Sequence, residues 1–114
     1  MEAKDLALYC AHVADLKQGE DILVLDVSKI STITSFFVII TGRVDKHVKA
    51  IADEVEEKVD QKKIDCYHRD SDESLKWIIL DYLDVMVHVF GREARDFYKL
   101  EQLWGDADEL EWKS

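Results

Sequence analysis

The chain has 114 residues, 47% hydrophobic and 35% charged, which suits one folded domain with a real core and excludes both a disordered chain and a pair of domains. Its 25 acidic and 15 basic residues leave a formal charge of −10, a field that repels nucleic-acid phosphate and anionic lipid and attracts basic partners. Cys10 and Cys66 allow no disulfide framework and form no CxxC pair, so both read as reduced thiols of a cytoplasmic protein.

In MEAKDLALYCAHVADL the acids Glu2 and Asp5 and the interspersed apolar residues do not make a signal peptide, and no apolar run reaches the ~18 residues of a membrane span. Leu6, Tyr9, Cys10, Val13 and Leu16 instead predict an amphipathic helix over 3–17, stopped near Gly19. ILVLDV (22–27) and SFFVIIT (35–41) are strand-like by β-branched and aromatic content, and the short link between them suits antiparallel neighbours. After Gly42, the spacing of Val44, Val48, Ile51, Ala52, Val55 and Val59 predicts a helix over about 43–62.

IDCYHR (64–69) is a weaker strand, and DSDES (70–74) reads as a loop. WIILD and VMVHVF flank a tight turn at Tyr82-Leu83-Asp84 and predict a hairpin. Residues 92–104 predict a last helix with Phe97, Leu100 and Trp104 as its core stripe and Leu103 beside it. The domain is expected over 1–107, with 108–114 as an acidic tail. The fold expected is α/β: a single domain with a mixed sheet flanked by helices. A strand–helix–strand unit over 35–69 is expected to supply one parallel pair.

Asp81, Asp84 and His88 lie in or beside the most apolar strands. Burying an unpaired carboxylate or imidazole costs several kcal/mol, so such groups must be paired, exposed or held for a partner. Two nearby carboxylates can hold Mg²⁺ or divide acid and base roles, but turn aspartates also cap local N–H groups. The third carboxylate and the phosphate-cradling loop of a metal-dependent transferase are not evident, so no catalytic set and no cofactor are expected. Cys66 and His68 share a strand face at i, i+2, with no reason in the sequence to meet His88, and no metal site is expected. Arg43, Lys46 and Lys49 crowd the start of the second helix against its dipole, which fits either an anion site or a face solvated by i, i+4 pairs such as Lys49–Asp53. In the last helix Arg95, Tyr98 and Gln102 share one face, and Trp, Tyr and Arg are the residues most enriched at binding hot spots.

With these residues in hand, the chain resembles the ribosomal silencing factor family, the bacterial relatives of the organellar Iojap proteins. The resemblance rests on FFVIITG, DKHVKAIADEVEE, WIILDYLDVMVHVF and REARDFYKLEQLWGDA, and covers about residues 4–107. The ordered pattern W-x₃-D-x₂-D-x₃-H-x-F followed by R-x₂-Y-x-L-E-x-L-W is far more specific than any short motif. It implies an α/β domain of nucleotidyltransferase-like topology that binds rather than catalyses. It further implies docking on large-subunit ribosomal protein fourteen, steric block of subunit joining under nutrient limitation, and compatibility with a homodimer in the free state. Carried over by position, the contact residues are Trp77, Asp81, Asp84, His88, Arg95, Tyr98 and Glu101, with Tyr82 and Phe90 nearby. Membrane and direct nucleic-acid partners are not implied. The alternative is a small Mg²⁺-dependent nucleotidyltransferase using Asp81 and Asp84, with phosphate at the helix start after Gly42.

Two positions depart from the family pattern. HRDSDES stands where many members have a Glu-Gly pair before the tryptophan, and Leu83 stands where many have glycine. Leucine at that point argues against a turn that needs positive φ.

Overall fold

A computed structural model describes residues 1–99, 102 and 104–113. Helix α1 (Ala3–Leu16) buries Leu6, Cys10 and Val13 together with Ala7, Ala11 and Ala14, the small residues letting it lie close to the sheet. It ends in a Schellman motif: Gly19 N–H donates to the Ala14 carbonyl at 2.8 Å and Gln18 N–H to that of Asp15 at 2.9 Å. The left-handed residue there is Gln18, at φ 63, not the expected glycine. Gly19 is needed for space, because a Cβ on it would lie 2.8 Å from Ile40 Cγ2.

Strands β1 (Glu20–Asp26) and β2 (Phe36–Gly42) pair antiparallel as their short link predicts. Helix α2 (Asp45–Gln61) buries Val48, Ile51, Ala52, Val55 and Val59 of the stripe read from the sequence, while Val44, expected on it, is the exposed N-cap; the helix closes with Lys63 at φ 65. Strands β3 (His68–Ser71), β4 (Trp77–Asp81) and β5 (Val85–Gly91) follow, then α3 (Arg92–Tyr98) and a short β6 (Asp108–Glu109).

The six-stranded mixed sheet runs β3-β4-β5-β2-β1-β6. Its parallel pair is β2 with β5, in register from Phe36↔Val85 to Gly42↔Gly91. That corrects the expected strand–helix–strand unit over 35–69, because β3 stands at the sheet edge, antiparallel to β4. The reason is burial. VMVHVF carries apolar residues on both faces and belongs in the centre, whereas His68-Arg69-Asp70-Ser71 is short and polar, as an edge strand should be.

One sheet face carries the main core: Val24, Val38, Ile40, Ile78, Leu80, Val85, Val87 and Val89 are fully buried beneath α1 and α2. The other face is covered only in part. Leu25, Phe37, Ile39 and Phe90 are buried there with Ala94 of α3, while Trp77, Met86 and Trp104 are partly buried around them. Alternation along β4 and β5 therefore sends Trp77, Ile79 and Asp81, and Met86, His88 and Phe90, to the half-covered face.

The last helix is shorter than 92–104 predicts. Lys99, at φ 49, closes α3, and Phe97 is 79% exposed rather than part of a core stripe, since Ala94 and Arg95 face inward. Leu100 and Leu103 lie outside the described residues. Residues 108–112, of the segment 108–114 read as an acidic tail, lie along β1: Leu25 and Asp26 pair with Glu109 and Asp108, Leu110 N–H donates to the Val24 carbonyl at 2.8 Å, and Trp112 Nε1 donates to that of Ile22 at 3.0 Å.

Candidate functional site

The half-covered face is a ladder of paired residues on adjacent antiparallel strands: Trp77 opposite Phe90, Ile79 opposite His88, Asp81 opposite Met86. Sequence reasoning found Trp77, His88 and Phe90 but passed over Ile79 and Met86. The period-two spacing from Trp77 through Ile79 to Asp81 was the signal for them.

His88 sits at the middle of this ladder. It is 6% exposed, yet neither ring nitrogen has a hydrogen-bond partner among the described residues. Phe37 meets its ring edge-on at 5.0 Å between centroids, and Phe90 lies tilted against it at 5.8 Å. Burial pushes its pKa down to about 4, so the imidazole is neutral at physiological pH and offers one donor and one acceptor. A buried polar group left unsatisfied is costly, on the order of 1–3 kcal/mol.

Above His88 lies a concavity of about 220 Å³ lined by Trp77, Ile79, His88, Phe90 and Tyr98. Tyr98 forms one wall, 48% exposed and stacked on Phe90 at 5.9 Å and 28°. A second concavity of about 260 Å³ shares Trp77 and Tyr98 and continues to Phe97, which meets Tyr98 edge-on at 5.2 Å. The larger concavities lie elsewhere and are built differently. The one of about 510 Å³ between α1 and α2 contains His47, whose nitrogens are both engaged, Nδ1 accepting from Arg43 N–H and Nε2 facing the Lys17 carbonyl.

The remaining sequence-predicted residues divide. Asp81 joins the face at its rim, and its Oδ1 accepts Leu83 N–H at 2.7 Å, the turn-capping role of an aspartate. Asp84 is exposed at the same turn, and its carbonyl accepts Ser35 and Phe36 N–H at 3.0 Å, tying the β1–β2 loop to the hairpin. Leu83 has φ 72, contrary to the expectation drawn from its side chain. A two-residue hairpin loop needs positive φ at its first position to match strand twist, and that requirement outweighs the preference of leucine.

Tyr82 does not join the face. It turns into the core under α1 and α2, 7% exposed, where burial raises its phenol well above the ordinary range. Arg95 is also buried, at 5% exposure, and its guanidinium donates to Thr41 Oγ1 at 2.8 Å and to the Asp21 carbonyl. It anchors α3 to the ends of β1 and β2 and is not a surface hot spot. Glu101 lies outside the described residues.

At the start of α2, Lys49 pairs with Asp53 at 2.6 Å and Arg43 with Glu20 at 3.2 Å, which favours the solvated-face reading over an anion site. Cys66 Sγ donates to the His68 carbonyl at 3.3 Å, so that pair does not converge as ligands. Among the described residues, no group of three or more His, Cys, Asp or Glu side chains is placed to hold a metal ion, and no helix is long and apolar enough to cross a membrane.

Fold and face together define a single-domain α/β protein whose mixed sheet is closed by helices on one side and half open on the other. The family model "Ribosomal silencing factor during starvation" matches residues 1–114. The chain is 39% identical over 107 residues to the ribosomal silencing factor RsfS of Bacillus subtilis, covering 94% of this chain and 91% of that protein. It is 30% identical over 110 residues to the chloroplastic protein Iojap of Zea mays, covering 96% of this chain and 48% of that longer one. A crystal structure of a Chromobacterium violaceum protein superimposes with a TM-score of 0.88 at 32% identity, covering 92% and 88% of the two chains. This chain belongs to the ribosomal silencing factor family.

Proposed function

We propose that this protein is a cytoplasmic translational repressor that binds the large ribosomal subunit through its half-covered sheet face. Its docking partner there is ribosomal protein fourteen, and its bulk keeps the small subunit from joining, above all when nutrients are limiting. The observation that carries this reading is His88: a neutral imidazole, unsatisfied and buried at the floor of an apolar concavity, which a docking protein supplies with a hydrogen bond. Trp77, Phe90 and Tyr98 surround it with the aromatic area typical of an interface centre. The charge of −10 suits a basic ribosomal protein and speeds its encounter at low salt. The family resemblance is also compatible with a homodimer in the free state.

The enzyme alternative has less support. Asp81 is engaged by the turn that follows it, and the helix start after Gly42 has its Arg43 paired to Glu20. On the present reading a nucleotidyltransferase-like topology is put to binding. The test is sedimentation with isolated large subunits at low salt, followed by addition of small subunits. Co-migration with the large subunit and a reduced yield of joined ribosomes are expected; free protein at the top of the gradient overturns the proposal.

A further inference from the structure

Six non-glycine residues of the described chain have positive φ, and at five of them helix closure or a contact within the chain goes with it. Gln18 and Lys63 stand at helix C-termini, where the left-handed conformation closes the last turn, and Lys99 follows α3 in the same way. Asp21 holds Arg92 with its carboxylate at 2.6 Å. Leu75 packs its side chain against the main core. At Leu83 the hairpin turn sets the positive φ, but the side chain that occupies it is apolar, 56% exposed, and in no core cluster. Glycine would take this turn without strain, so the leucine side chain is kept at a conformational cost that no core packing among the described residues offsets.

Its position suggests where the return comes from. Leu83 stands in the turn two residues beyond Asp81, at the other end of β4 from Trp77, which shares its concavity with Tyr98. Asp81 clamps its backbone N–H, and Asp84 holds the β1–β2 loop through its carbonyl, so the turn that presents the side chain is fixed from both sides. We propose that Leu83 is the distal anchor of the docking face, inserting between an apolar side chain and a lysine or arginine of a basic partner protein. The two flanking carboxylates supply the charge complement for that cation and oppose a phosphate backbone, so RNA is the wrong partner for this end of the face. This inference rests on the docking function proposed above.

Three variants test it on the full chain, with isolated large subunits as the probe. Leu83→Gly relieves the turn and removes the side chain, so it should raise Tm by about 4 °C while weakening large-subunit binding about tenfold. Leu83→Ala should weaken binding similarly without the gain in Tm, and Leu83→Met should retain binding. If the wild type binds and both Leu83→Gly and Leu83→Ala bind equally well, Leu83 is no anchor although the docking function stands. If the wild type itself does not bind, both readings fall. Retention on protein-free ribosomal RNA with the same dependence on Leu83 would overturn the assignment of a basic protein partner.

Discussion

His88 and Phe37 meet edge to face, 5.0 Å apart, on neighbouring strands of the half-covered sheet face. The contact holds the imidazole in an aromatic setting that excludes water from both nitrogens without offering either a hydrogen bond. Such an arrangement costs stability in the free protein and makes sense when a partner completes it.

The burial of His88 makes stability depend on pH in a defined window. Its pKa is about 4 in the fold and about 6.5 in the unfolded chain, so between these values the unfolded state binds more protons and stability rises with pH. The contribution is intact above pH 6.5 and lost as pH falls toward 4, by about 3 kcal/mol. Denaturant unfolding of wild type and His88→Leu at pH 7 and pH 4.5 isolates it from the carboxylates. The wild type should lose more stability than the variant on acidification; equal losses would mean the imidazole is not buried neutral.

Gly42 and Gly91 are register partners at the ends of the two parallel strands, yet they should respond oppositely to alanine. A Cβ on Gly42 would lie 2.8 Å from Val48 Cγ2 and 2.9 Å from Val48 N, and backbone cannot step aside. On Gly91 the nearest atom is the Lys76 carbonyl oxygen at 3.5 Å, an ordinary contact. Gly42→Ala should cost about 2–3 kcal/mol or more, while Gly91→Ala should stay within about 0.5 kcal/mol of wild type. Thermal melts of the two variants decide it, and equal Tm values would contradict the packing described for the start of α2.

Removing residues 108–114 should lower stability by about 2 kcal/mol, or roughly 8 °C in Tm. The deletion strips β1 of its outer partner and takes away Trp112, which packs edge-on against His12 at 6.0 Å and hydrogen-bonds Ile22. An unchanged melting curve would show this segment to be dispensable.

Much of the frame was legible because local pattern and burial agree there. The Val48–Val59 stripe, the hairpin of WIILD and VMVHVF, and the antiparallel β1–β2 pair are local, and each is seen in the structure. What failed depends on distant contacts. The parallel partner of β2 is separated from it by a helix and two strands, and only the two-sided apolarity of VMVHVF pointed to the centre of the sheet. Asp108 and Glu109 are poor strand formers, and their pairing follows from the open edge of β1 and the docking of Trp112. Within the site, strand alternation put Trp77, His88 and Phe90 on one face, whereas Tyr82 and Arg95 needed the turn and α3 in place before their burial was visible.

The central claim is that the face around His88 is built for a protein partner at some expense to the free fold. Its most direct test is sedimentation of His88→Leu with isolated large subunits, alongside its melting curve at pH 7. Leucine removes the unsatisfied imidazole, so the account predicts a Tm equal to or above that of the wild type together with binding weakened about tenfold or more. A variant that melts no lower and still co-migrates with the large subunit as the wild type does would contradict it.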